Sequence, residues 1–219
     1  METLFYEQAK IYLPVENERL AEERVILTLG GYGGIDFFSL KGRLETLFRT
    51  LSIKAEFEAL SDNPSYHPGR CARIMSDGVV LGLFGQIHPR VADNFDMSGT
   101  DVYTAEIDML KLMNSVPPET GFVPLPRYPS MRRDIALICD NTLPAAEIER
   151  VICESGGAIL ESAELFDVYS GGTIPVGKRS LAYALTLRAD DKTLTDNDAD
   201  TTVAAILLML KTALGVTQR

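Results

Sequence analysis

Apolar and polar positions along the chain switch repeatedly between two spacings. Residues 23–29 read as a strand ending at Gly30-Gly31. Beyond Asp36, Phe37, Leu40, Leu44, Leu47 and Leu51 recur at intervals of three and four, which predicts a helix capped by Asp36. Residues 54–60 alternate as a strand. Residues 70–75 and 79–87 flank Ser76-Asp77-Gly78, a hairpin turn signal. Residues 88–95 read as a short helix and 101–107 as a further strand. The pattern is α+β with mainly antiparallel strands.

Residues 114–126, NSVPPETGFVPLP, carry four prolines and a glycine and cannot continue a helix or a central strand. They predict a stiff linker between domains spanning 1–113 and 127–219. After it, residues 134–139 form a strand with Ile135, Leu137 and Cys139 on one face. Pro144 suits the first turn of a helix facing inward through Ile148, Val151 and Ile152 and ending at Gly156-Gly157. Residues 160–169 and 179–188 are strands joined by the turn SGGTIPVG, and the second buries Leu181, Tyr183, Leu185 and Leu187. Thr195 and Asp198 form a capping box for a helix that buries Ala199, Val203, Ile206, Leu207 and Leu210 and closes at Gly215. Residues 216–219 suffice for an edge strand. The order β-α-β-β-α-β is ferredoxin-like, with both helices on one face of an antiparallel sheet. Its other face carries Ala136, Ser180, Ala182, Ala184 and Thr186, a floor of small residues on which something large can lie flat.

Charge sharpens this picture. The chain holds 21 Lys and Arg against 31 Asp and Glu, a formal charge of −10. Neither half is basic, so a polyanion site has to be a local patch. Three cysteines without CxxC spacing fit a reducing, cytoplasmic setting. The chain begins without a signal-peptide pattern, and its longest apolar run, 203–210, is far short of a membrane span. A soluble protein with no membrane partner is expected.

Candidate chemistry is sparse. His67 and His88 each precede a proline and lack metal-ligand or nucleophile partners at suitable spacing, so local structural roles are expected. Gly30-Gly31-Tyr32-Gly33-Gly34 lacks the GxGxxG and GK[ST] patterns and reads as a loop flanking the helix. Asp196, Asp198 and Asp200 lack the glycine and distal glutamate of a calcium loop. No catalytic residue, metal site or resident cofactor is expected. What stands out is an arginine cluster: Arg127, Arg132 and Arg133 beside Tyr128, in RYPSMRRDIAL. Surface ion pairing with Asp134 or Asp167 accounts for such a cluster. Phosphate or RNA recognition also does, because the guanidinium fork matches phosphate and its plane stacks on bases. Lys178 and Arg179 begin the strand that should neighbour the first, so the two groups are expected to form one patch.

RYPSMRRDIAL, LFDVYSGG and GKRSLAYALTLRADDKTLTD, followed by a long helix and a short strand, resemble the ferredoxin-fold anticodon-binding domain of the bacterial phenylalanyl-tRNA synthetase β-subunit family. DFFSLKG, YHPGR and LGLFGQIHPRV resemble that family's catalytic-like module. The resemblance implies a truncated, non-catalytic, class II synthetase-like antiparallel module over 1–113 and an anticodon-binding domain over 127–219. It implies a C-terminal part of a β subunit that pairs with a catalytic α subunit as α2β2, and the pair phenylalanylates tRNA with ATP and Mg2+. Arg127, Tyr128, Arg132, Arg133, Lys178 and Arg179 are then the candidate contacts to the anticodon stem-loop. One departure is GGYGGI before Asp36, where relatives usually carry a longer loop. An ACT-like small-molecule module shares the β-α-β-β-α-β order, but CDNTLP supplies no glycine in the turn after the first strand. An RRM would need base-stacking aromatics on its first and third strands, and these are absent.

Overall fold

Asp36 does cap the first helix. Its carboxylate accepts hydrogen bonds from the Ser39 amide and hydroxyl, both at 2.6 Å, and opens α1 (Phe37–Thr50). The computed structural model describes residues 2–16, 19–118 and 124–219. The chain divides into two compact units, Met1–Gly121 and Phe122–Arg219. The predicted linker lies partly on residues 119–123, outside the described residues.

The first unit is a six-stranded antiparallel sheet. Its strands are β1 (Thr3–Leu13), β2 (Glu22–Tyr32), β3 (Glu56–Ala59), β4 (Tyr66–Ser76), β5 (Val79–Ile87) and β6 (Val102–Asp108), in the order β1-β2-β6-β5-β4-β3. Leu40, Leu44 and Phe48 of α1 pack on one face against Ile74, Leu81, Phe84 and Ile107. Asp77 and Gly78 take positive φ (47° and 77°), as a tight β4–β5 hairpin turn demands. Two short helices complete the unit, α2 (Pro89–Asp93) and α3 (Met109–Asn114). His88 caps α2 through Nδ1, which accepts from the Arg90 amide, and His67 Nδ1 accepts from the Gly69 amide. Both histidines thus serve local backbone.

Several expectations for this unit change. β1 was not predicted, because its apolar residues fall on both faces and most of the strand is exposed. β2 does not stop at Gly30-Gly31 but runs on to Tyr32, so only Gly33 and Gly34 form the turn into α1. The Phe5 ring of β1 lies across Gly30, where a Cβ would come within 2.1 Å of it, so glycine here serves cross-strand packing. Asn114 ends α3 instead of opening a linker, since six residues are too few for helical periodicity to register.

The second unit follows the predicted order: β7 (Met131–Asp140), α4 (Ala145–Ser155), β8 (Leu160–Tyr169), β9 (Lys178–Leu187), α5 (Asp196–Leu214) and β10 (Thr217–Gln218). The sheet order β10-β7-β9-β8, all antiparallel, is ferredoxin-like, and the α+β reading holds for the described chain. Ile135, Leu137, Leu181, Tyr183 and Leu185 meet Ile148, Ile152, Ile206 and Leu210 in one core. Pro144 stands one residue earlier than expected, at the cap position, because its ψ of 137° is extended. Gly215 ends α5 in the left-handed region at φ 66°. Among the described residues no helix is long and apolar enough to cross a membrane.

The capping box is present in full. The Asp198 carboxylate accepts from the Thr195 amide (2.9 Å) and hydroxyl (2.8 Å), and the Asp198 amide donates to Thr195 Oγ1. These bonds, with Lys192 Nζ at 3.1 Å, hold the Asp198 pKa down at about 2. A depressed carboxylate contributes stability above its unfolded pKa of about 3.9 and loses it as pH falls through the folded value. Acid titration followed by circular dichroism should therefore show the parent losing stability between about pH 4 and pH 2. Asp198→Asn should be flatter across that window, and equal slopes would contradict the assignment.

Candidate nucleic-acid interface

Strand pairing fixes which side chains share the helix-free face of β7-β9-β8. Register partners share a face, and Arg132 stands opposite Thr186, Asp134 opposite Ala184, Ala136 opposite Ala182 and Ile138 opposite Ser180. On the far side of β9, Glu164, Asp167 and Tyr169 join the rows of Ala184, Ala182 and Ser180. The small floor is therefore real: Ser180 is 4% exposed, and the alanines are half-buried under open space.

One end of this face carries an aromatic–cation pair. Tyr169, Ser180, Ile138 and Thr217 form a single row across four strands. The Arg219 amide donates to Ala136 O at 2.9 Å, and its guanidinium lies 5.7 Å from the centroid of the Tyr169 ring. The arginine spans the floor because nothing larger than serine or alanine stands on β9 between them. Lys178 lies in the next row, opposite Asp140. Asp134 and Glu164 flank Ala184 in the middle of the face, so the cations at its two ends are divided by an acidic row.

The six sequence-predicted residues do not form one patch. β7 and β9 are neighbours, but antiparallel pairing places their starts at opposite ends of the sheet. Arg132 and Asp140, the partner of Lys178, are eight residues apart, or about 26 Å at roughly 3.3 Å per residue. Arg132 and Arg133 also point to opposite sides. Arg132 is exposed on the open face, and its side chain has no hydrogen bond or ion pair among the described residues. Arg133 turns towards α5 and donates to Asp196 (2.6 Å) and Asp200 (3.3 Å), which push its pKa further up. Asp134 and Asp167 are thus not its partners, because both lie on the open face. Arg179 sits on the helix side opposite Cys139, and its Nη2 donates to Leu143 O at 2.6 Å. Beside it the Tyr183 hydroxyl donates to Ala145 O, and burial pushes that hydroxyl's pKa up. The two side chains fix the turn into α4. Arg127 is exposed, and Tyr128 is half-buried with its carbonyl bound by Arg188.

Tyr169 and Arg219 were missed in the sequence as a pair. Simple alternation along β8 would put Tyr169 on the core side with Leu165; a register shift between Leu165 and Asp167 moves it to the face of the small residues, so no local signal marked it. In the first unit buried polar groups are matched locally, as where Gln86 accepts from Arg70 (2.6 Å) and donates to Asp101 (2.7 Å). Among the described residues no three His, Cys, Asp or Glu side chains converge to hold a metal ion.

A ferredoxin-like sheet with one open face defines the class of the second unit, and residues 126–219 match the ferredoxin-fold anticodon binding domain. Residues 1–109 match the phenylalanyl tRNA synthetase beta chain CLM domain. The chain is 41% identical over 216 residues to the phenylalanine–tRNA ligase beta subunit of Clostridium acetobutylicum, covering 98% of this chain and 27% of the relative. The corresponding subunit of Clostridium tetani is 38% identical over the same coverage, and that of Symbiobacterium thermophilum 39% over 89% of this chain and 23% of the relative. The chain belongs to the phenylalanine–tRNA ligase beta-subunit family. It spans about a quarter of the length of these curated relatives.

Proposed function

We propose that the chain supplies tRNA binding and subunit packing to a cytoplasmic phenylalanine–tRNA ligase, and that it carries no catalytic residue of its own. The anticodon stem-loop lies on the open face of β7-β9-β8. The observation that carries this reading is the small-residue floor ending in the Tyr169–Arg219 pair. A ring of this kind takes a nucleobase by stacking, and a guanidinium beside it serves base or phosphate. Lys178 adds a cation to that end. Arg132, with Arg127 and Tyr128 preceding it, meets RNA backbone at the other end. Arg133 and Arg179 support the face from beneath, because Arg133 is turned to Asp196 and Arg179 to Leu143 O on the helix side.

The first unit serves packing against a catalytic α subunit, in an α2β2 assembly in which α uses ATP and Mg2+. Supporting this is β1, an edge strand whose Leu4, Phe5, Tyr6, Ile11 and Tyr12 are all exposed. Such an edge favours a partner that covers it.

Titration of the 219-residue chain with phenylalanine-specific tRNA at low salt tests the RNA reading. Binding should weaken with salt, and Arg132→Ala should lower the slope of log K against log salt by about 0.7–0.9, one phosphate contact. No binding, or binding indifferent to salt, would overturn it.

A further inference from the structure

Arg188 follows the last residue of β9 and ties three segments together. Its amide donates to Ile159 O at 2.7 Å, joining the start of β8. Its Nε donates to Glu161 Oε2 at 2.8 Å. Its Nη1 donates to Tyr128 O at 2.7 Å, in the segment that leads into β7. That segment, 124–130, has no strand partner of its own, so this bond is its anchor to β9. Beneath it, Met131, Ile159 and Leu160 pack on Leu187, Ala189, Leu194 and Ala199.

The Arg188 side chain is only 22% exposed and its charge is matched by Glu161. A cation so engaged is poorly placed to hold a phosphate, whereas a charge-assisted bond to a backbone carbonyl orders the chain that bears it. The segment it orders carries Arg127 and runs directly into Arg132, both exposed and free of side-chain partners among the described residues. We infer that Arg188 is a positioning residue for RNA binding: through Tyr128 O it fixes the lead-in to β7, and so the approach of Arg127 and Arg132 to the nucleic acid. Without the bond, the ordering cost of that segment falls on the binding step. The inference rests on the open face being the RNA surface.

The test compares Arg188→Gln and Arg188→Lys with the parent chain, using phenylalanine-specific tRNA across a salt series. Arg188→Gln should weaken binding on the order of tenfold at every salt concentration with the slope unchanged. Arg188→Lys, which keeps the charge but not the fork, should fall between. Hydrogen exchange at the Tyr128 and Ser130 amides should quicken in Arg188→Gln while the exchange of β7 and β9 stays as in the parent. A slope reduced by about 0.7–0.9 would make Arg188 itself a phosphate contact and overturn the inference. Faster exchange with unchanged affinity would overturn it too, as would global loss of exchange protection, which marks a merely structural role. A parent chain that binds no tRNA would instead remove the RNA reading on which the inference rests.

Discussion

Replacing Tyr169 by alanine is expected to weaken tRNA binding by roughly 1–3 kcal/mol, or about 5- to 150-fold, the range for losing one stacked base. The size follows from where the ring stands. It is 43% exposed at the end of edge strand β8, so it contributes little to the core and much to a ligand. The Arg219 guanidinium reaches over the ring from the opposite edge of the sheet, so a base arriving there meets a ring and a cation together. Tyr169→Phe keeps the ring and should bind within about twofold of the parent, since stacking uses the π-face and not the hydroxyl. Removing the exposed ring should leave the thermal midpoint nearly unchanged. A Tyr169→Ala chain that binds as the parent does would show that the floor is not where bases lie.

The largest effect on stability is expected at Gly82, in the middle of the first sheet. A Cβ there would lie 2.0 Å from Glu106 O and 3.0 Å from the Ile107 Cα, both backbone atoms of the neighbouring strand. Neither can swing aside, so Gly82→Ala has to separate β5 from β6. A loss of at least about 1–3 kcal/mol is expected, the usual range for overpacking. Gly30→Ala is a natural contrast. The atoms nearest its added Cβ belong to the Phe5 ring, a side chain that is 46% exposed on an edge strand and can shift more readily than backbone, so a smaller loss is expected. The chain has no tryptophan, so urea unfolding is followed by circular dichroism. Equal midpoints for Gly82→Ala and the parent would contradict the close approach of these strands.

The second unit was largely legible because its signals are local and agree with one another. Alternation placed Leu181, Tyr183, Leu185 and Leu187 inward, and all four are fully buried. Thr195, Asp198 and Gly215 mark the ends of α5 by chemistry that acts within a few residues. The first unit was less legible for the converse reason. β1 is an edge strand without a periodic apolar face, and Gly30-Gly31 read as a break because the side chains that need their space, Phe5 at Gly30 and Leu4 at Gly31, come from β1 across the sheet.

The candidate site divided along the same line. Its small floor could be read from the period of two in β9. The arrangement of its cations could not, because that depends on strand direction. Adjacent strand starts coincide only in a parallel pair, and here the pair is antiparallel. Arg132 and Arg133 look alike in sequence, yet alternation sends one to the open face and the other to Asp196 and Asp200. The Tyr169–Arg219 pair spans 50 positions and all four strands of the sheet, beyond the reach of any local pattern.

Photo-crosslinking of phenylalanine-specific tRNA, labelled in its anticodon loop, to the 219-residue chain tests the central claim most directly. Peptides containing Tyr169 and Arg219 should carry the label, and those from the outer surfaces of α4 and α5 should not. Labelling confined to the helical side, or spread evenly over both units, would contradict the assignment of the open sheet face to RNA.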